Sequence, residues 1–301
     1  MTNTKKRFIE SRYLLLLFLP VLIYLIMFRY APMWGVLISF QNFRITSGFF
    51  ESEWVGLQHF QTFFSSPFAF RVIRNTFLLG FYGLLWGFPI PIIFALILNE
   101  VRSVRARKFV QTVSYLPFFI SVVVMAGMLR EFLSPNGIVN QLIMQAGGEA
   151  IPFFNMSGWF RTIFIASDIW QTMGWNAIIF IAALASVNTE LYEAAEIDGC
   201  NKLQKILYVD IPCIMPTIII VFLLRIGQIL SVSFERVLVL YNPAIYETAD
   251  VIGTFMFRQA FVGAPNFSYA AAVGLFQSVV GMIFLIGSNA IAKRVSDIRL
   301  W

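Results

Sequence analysis

Six stretches of about twenty mainly apolar residues divide this chain, and they limit its possible folds more than any other feature. They run over residues 13–38, 76–99, 109–132, 160–186, 214–236 and 268–292. A helix needs about 20 such residues to cross roughly 30 Å of hydrocarbon. Within that layer no water is present to bond the backbone, so each stretch must satisfy its own amides as helix. The expected architecture is all-α and polytopic, with six transmembrane helices. Only 13% of the 301 residues are charged and the mean hydropathy is +0.76. Soluble domains carry about 25% charged residues, a gap wider than a buried core explains.

Irregularities are already visible inside the stretches. The first holds Pro20, Arg29 and Pro32, so its outer end is expected to bend or leave the bilayer, with Arg29 snorkelling to the headgroups. The second holds "FPIP" at 88–91, where proline removes backbone bonds and kinks a span.

The formal net charge of +6 sits mostly beside the apolar stretches. Lys5, Lys6, Arg7 and Arg12 precede the first, Arg102, Arg105, Arg107 and Lys108 follow the second, and Lys293, Arg294 and Arg299 follow the last. That pattern suits the positive-inside rule and not a nucleic-acid surface. Both termini are then expected in the cytoplasm, with loops near 39–75, 133–159 and 237–267 outside. The expected organisation is a cytoplasmic tail at 1–12, the first helix and an external loop at 13–75, a five-helix core at 76–292 and a second tail at 293–301. The first stretch is too long for a signal-peptide core and lacks a small-residue cleavage site, so no cleaved leader is expected. Cys200 and Cys213 show no metal-ligand spacing and are expected to stay reduced. His59, the single histidine, is expected to be a surface residue of an external loop, and no metal site is expected.

Between the fourth and fifth stretches lies "LYEAAEIDGCNKLQKILYVDIPCIMP", residues 191–216. Leu191, Ala194, Ala195 and Ile197, then Leu203, Ile206 and Leu207, have helical spacing. Asp198-Gly199 breaks the pattern, and a second short helix is expected to stop at Pro212. Ala194, Ala195 and Gly199 would let another backbone approach, while Glu193, Glu196 and Asp198 offer carboxylates to a basic partner. Two readings stand on the residues alone: a docking element, or an amphipathic loop lying on the membrane.

This segment resembles the loop of permease subunits of binding-protein-dependent ABC importers, E-A-A, three residues, G, nine residues, I-x-L-P. Glu193, Ala194, Ala195, Gly199, Val209, Ile211 and Pro212 fall on that pattern. Asp198 and Pro216 match the version found in sugar importers, while Cys200 replaces a usual alanine and Ile206 a frequent phenylalanine. Residues 48–77, including the Asn75-Thr76 pair taken to open the first core helix, together with 225–261 and 267–278, are similar to the polysaccharide or multiple-sugar branch. The resemblance implies a MetI-like fold and a loop, 188–212, that couples to a separate ATPase through Glu193, Ala194, Ala195, Asp198, Gly199, Ile206 and Pro212. It also implies the partners: a second homologous permease, a cytoplasmic ABC ATPase dimer, and an extracellular or lipid-anchored sugar-binding protein that delivers an oligosaccharide. The chain itself would be no enzyme and would bind no cofactor, with ATP and Mg held by the ATPase. A phosphate-cradling G-x-x-x-x-G-K-[ST] run does not occur in it. The implied location is a bacterial cell membrane.

Polar residues at mid-span are the candidates for the pathway. A charge at the bilayer centre costs roughly 2.5–3.5 kcal/mol on insertion scales, so it faces protein or water. Asp168, Trp170, Gln171, Trp175 and Asn176 lie in the fourth stretch, and Arg225, Gln228, Ser231 and Glu235 in the fifth. Aromatic faces stack on sugar rings, and amides and carboxylates bond hydroxyls. The other reading is interhelical bonding, such as an Arg225–Asp168 pair. The competing function is an ion- or proton-coupled secondary transporter. That would need mid-membrane carboxylates and paired broken helices, and Asp168 is the one clear mid-span acid.

Overall fold

The computed structural model describes residues 12–295; Lys5, Lys6, Arg7 and Arg299 lie outside them. Among the described residues four helices are long and apolar enough to cross a membrane: Leu16–Phe40, Ala69–Asn99, Lys202–Gly227 and Phe267–Ile291. Two bent pairs bring the number to six if each is one crossing. Val104–Phe119 meets Val122–Phe132 at 97°, and Ser157–Ala185 meets Thr189–Ile197 at 74°. Every expected stretch is therefore helical, but four depart from the expected form.

The first stays helical to Phe40, passing through a π turn at Ile26–Tyr30 and a 3-10 segment at Ala31–Phe40. Pro32 falls in the first turn of that segment, where a missing N–H leaves no bond broken. The second begins at Ala69, so Asn75 and Thr76 lie inside it and do not open it. The third breaks after Phe119: Ile120 and Ser121 are extended, and the Ser121 hydroxyl accepts from the Val124 amide to start a new helix. The fifth ends at Gly227, turns through 228–233, and restarts at Phe234–Leu240 with Ser233 as its cap.

The chain forms two compact units. One runs up to Ser66 and takes in Met256–Leu275. In it Gln41–Asn42 pairs antiparallel with Glu53–Trp54, the Phe43 amide donates to the Ser268 hydroxyl at 2.9 Å, and Phe63 meets Tyr269 edge-on at 6.4 Å. His59 is not a bare surface residue: it is half-buried, with Nε2 3.0 Å from the Gln41 carbonyl.

The other unit, Pro67–Phe255 with the residues from Phe276 on, carries the helical core. Leu79, Phe160, Phe164, Val237, Leu240 and Ile245 form one buried cluster, and Ala95, Ala177, Phe180, Leu184 and Ile214 belong to another. Lipid is as apolar as leucine, so helices in a bilayer associate through close packing and polar contacts. Both devices are present. A Cβ on Gly174 would fall on the Ser114 carbonyl, and one on Gly80 on the Ile229 carbonyl, so in both places backbone touches backbone. The buried Asn75 donates to the carbonyls of Glu247 at 2.9 Å and Asp250 at 3.1 Å and accepts from Arg161 at 3.2 Å. The Thr76 hydroxyl accepts from the Ile252 amide at 2.9 Å. Together these side chains fasten the Ala69–Gly87 helix to the 247–252 turn.

Candidate functional site: a polar pathway and a projecting insert

The break in the fifth span creates a polar cavity of about 220 Å³. Gly80, Gly83 and Gly87 give it a side-chain-free wall. Asp168, Thr172 and Asn176, spaced four residues apart on one helix face, supply a second wall. Arg225, Gln228, Ser231 and Ser233 supply the third. Asn176, Arg225 and Gln228 also wall an adjoining cavity of about 530 Å³ that Trp175 borders.

Five of the nine expected pathway residues thus line the cavity: Asp168, Asn176, Arg225, Gln228 and Ser231. The others lie elsewhere. Trp170 borders a separate, apolar cavity with Met125, Phe132 and Trp159. Trp175 stacks flat on Phe118, ring centres 4.4 Å apart. Glu235 is exposed beyond the break, in the first turn of Phe234–Leu240. Gln171 is buried with both ends of its amide engaged: Nε2 donates to the Ile120 carbonyl at 2.6 Å, and Oε1 accepts from Arg236 at 2.7 Å. The Ile120 carbonyl is free to accept because the third span breaks there.

Arg225 does not pair with Asp168. Arg236 does, at 3.0 Å, from a site only 3% exposed, and it also donates to the Ser167 hydroxyl at 3.4 Å. The turn at 228–233 interrupts the helix, so Arg236 lies beside Asp168. A straight span would have carried it away. The turn is held from outside by Gln277, whose side chain donates to the Leu230 carbonyl at 2.6 Å.

The insert is one short helix followed by the first turns of a long one, and both are capped where they begin. Asn188 accepts from the Glu190 amide to start Thr189–Ile197. That helix ends with the Cys200 amide on the Ala195 carbonyl and the Gly199 amide on the Glu196 carbonyl. This closure needs a left-handed residue, and Gly199 has φ +75°. Asn201 and Gln204 then cap each other's amides to begin the second helix. That helix does not stop at Pro212. A π turn at Ile206–Asp210 leads directly into Ile211–Gly227, giving one helix over Lys202–Gly227. Pro212 occupies the first turn of the last segment, where its missing N–H is harmless.

Glu193, Ala194, Asp198 and Gly199 are exposed on the insert, as are Pro212 and the apolar Ile197, Leu203 and Tyr208. Ala195 and Ile206 are not available in that way: Ala195 is buried, and Ile206 packs on the cluster of Ala95 and Phe180. On the inner side Lys205 pairs with Glu100 at 2.6 Å and lies 5.3 Å from the Tyr192 ring centre. The Tyr192 hydroxyl donates to the fully buried Asp210 at 2.6 Å. Burial, reinforced by the Asp210 carboxylate, pushes the Tyr192 phenol well above its usual range.

Residues 68–297 match the family described as "binding-protein-dependent transport system inner membrane component". The chain belongs to this family. It is 41% identical over 286 residues to Protein LplB of Bacillus subtilis, covering 95% of this chain and 90% of the relative. It is 39% identical over 292 residues to the polygalacturonan/rhamnogalacturonan transport system permease protein YteP of the same organism, covering 97% and 91%. Among solved structures, a chain of a bacterial ABC transporter involved in the import of the acidic polysaccharide alginate superposes with a TM-score of 0.90 at 39% identity, covering 98% of this permease and 99% of that chain. The fold is thus the MetI-like permease fold, and the secondary-carrier reading gives way to it. The protein is a multi-pass inner-membrane component of a transport system, not an enzyme.

Sequence reasoning missed Arg236 as a partner in this permease because it placed that residue at the close of a straight helix. A signal was available. Gly227, Gln228, Ser231 and Ser233 within seven residues are a poor helix interior, and Ser233 is a good cap three residues before Arg236. Tyr192 gave no such signal, since its partner Asp210 lies 18 residues away, beyond the break at Gly199.

Proposed function

We propose that this permease is one of two homologous membrane subunits of an ATP-driven importer that carries an oligosaccharide into the cytoplasm. A separate ABC ATPase dimer holds ATP and Mg, and an external or lipid-anchored sugar-binding protein delivers the cargo. One observation carries the reading: the exposed insert and the polar cavity belong to the same continuous helix. Lys202–Gly227 has 26 residues, about 40 Å at 1.5 Å per residue. Its first turn lies in the insert, and its last carries Arg225 into the cavity. A push on the insert is therefore delivered to the cavity wall along a rod, with Tyr192–Asp210 and Lys205–Glu100 tying the rod to its neighbours.

The Lys205–Glu100 pair also supports the orientation. It joins the insert to the connection that carries Arg102 and leads into the helix start bearing Arg105, Arg107 and Lys108, so the insert shares the side of the most basic internal stretch, which the positive-inside rule assigns to the cytoplasm. Thr172, Asn176, Gln228 and Ser231 offer hydroxyls and amides suited to sugar hydroxyls, and the named relatives carry polygalacturonan, rhamnogalacturonan and alginate. Purification of the tagged chain from its native membrane tests this. An ATPase and a second permease are expected with it in stable proportion. A chain that purifies alone and moves solute down an ion gradient contradicts the reading.

A further inference from the structure

Arg225 is exposed and lines both the polar cavity and the mainly apolar one adjoining it, and among the described residues it makes no ion pair. Asp168 is the other charged residue of the smaller cavity's lining, and it is already paired with the buried Arg236. In the larger cavity Arg225 is the one charged lining residue. The pathway thus carries one net positive charge at mid-span. A cation kept there is costly, and its position in the last turn of Ile211–Gly227, where the helix dipole favours it, offsets only part of the cost. An ion-pair role would have explained it, but Arg236 holds that role.

We propose that Arg225 receives a carboxylate of the passing sugar, so that the importer selects uronate-bearing oligosaccharides over neutral ones. This rests on the oligosaccharide reading above. A guanidinium offers a planar pair of N–H donors matched to a carboxylate. Gln228 lies one turn further along, and Asn176 faces it across the cavity from the fourth span; both amides are left for the hydroxyls of the same ring. The charge moves with the rod, so the group that grips the sugar is on the element the ATPase displaces.

The test uses the complete importer in proteoliposomes with its capturing protein saturated. The probes are labelled trisaccharides of galacturonate and mannuronate, the methyl ester of each, and neutral arabinose trisaccharide. At least one uronate is expected to enter, with its methyl ester about 10- to 100-fold slower, the range of a charge-assisted hydrogen bond. Arg225→Gln is expected to lose about the same factor for the uronate, with Arg225→Lys between. Equal entry of acid and ester into wild-type vesicles, or preference for the arabinose probe, overturns the proposal without requiring any variant to fold. Uronate uptake by Arg225→Gln within twofold of wild type also overturns it. If no trisaccharide enters while the complex hydrolyses ATP and imports another class of solute, the oligosaccharide reading itself has failed.

Discussion

Replacing Gly80 with alanine adds one methyl group to the Ala69–Gly87 helix and places it on the carbonyl of Ile229. Nothing nearby is a flexible side-chain end that could swing away: the obstructing atoms are main chain, in the turn that interrupts the fifth span. The helix must shift, or the turn must move. Overpacking against side chains costs about 1–3 kcal/mol, and a main-chain obstacle belongs at the upper end. Alanine regains about 1 kcal/mol of helix propensity, so the net loss is about 2 kcal/mol. Gly83, three residues on and on the same cavity wall, provides the control. A Cβ there meets only Ile165 Cδ1, at 3.9 Å, an ordinary contact. Gly83→Ala should gain most of the propensity term, about 1 kcal/mol. The two variants should differ by about 3 kcal/mol, or roughly 6–12 °C in apparent midpoint at 2–4 °C per kcal/mol. Thermal unfolding of each purified complex in the same detergent measures this. Equal midpoints for Gly80→Ala and Gly83→Ala would refute the backbone contact, and with it the position of the turn.

Further consequences concern the ion pair and the insert. Arg236→Gln alone leaves Asp168 and Gln171 without their partner, and losing one side of a buried pair costs about 3–5 kcal/mol, toward the lower end here because Asp168 is partly exposed. The Asp168→Asn, Arg236→Gln double variant should recover part of that, as read from unfolding midpoints, whereas additive losses would count against the pair. Tyr192 keeps its proton to a higher pH in the fold than in the unfolded chain, so its contribution is full below about pH 10 and is lost as pH rises toward the elevated folded value. Hydrogen exchange over 189–205, corrected for intrinsic rates, should be flat from about pH 6 to 9 and rise above about pH 10. Tyr192→Phe should abolish that rise and raise exchange at every pH. Gly199 is surrounded by open space, so what excludes other residues is its φ of +75°, not bulk. Gly199→Asn, which tolerates the left-handed region, should retain most ATP-driven uptake, whereas Gly199→Val should lose most of it.

How far the sequence revealed this molecule depends on the range of the interaction. The number of crossings follows from stretches long enough to average over, and the insert follows from a local pattern in which Gly199, Asn201 and Gln204 bond within a few residues. The broken spans were hidden for the opposite reason. An interrupted helix in lipid is tolerable only if distant side chains bond the freed carbonyls. Here Gln171 does so for Ile120 and Gln277 for Leu230, across 51 and 47 residues of sequence. Hydropathy windows over 109–132 and 214–236 stay apolar through both breaks. Residue type alone does not show that Gln171 bonds the break at Ile120 or that Trp175, at the edge of the adjoining cavity, stacks on Phe118, and the glycine wall of the cavity, with no chemistry of its own, leaves no mark in the sequence.

The most direct measurement is accumulation of labelled oligosaccharide in vesicles holding this permease with its co-purified partners, with nucleotide supplied on the face bearing the 191–216 insert. Uptake that requires ATP, stops with a non-hydrolysable analogue, and ignores imposed proton and sodium gradients is the expected result. Accumulation that follows an ion gradient without ATP, or ATP-driven uptake unchanged when Thr189–Ile197 is replaced by a flexible linker, would contradict it.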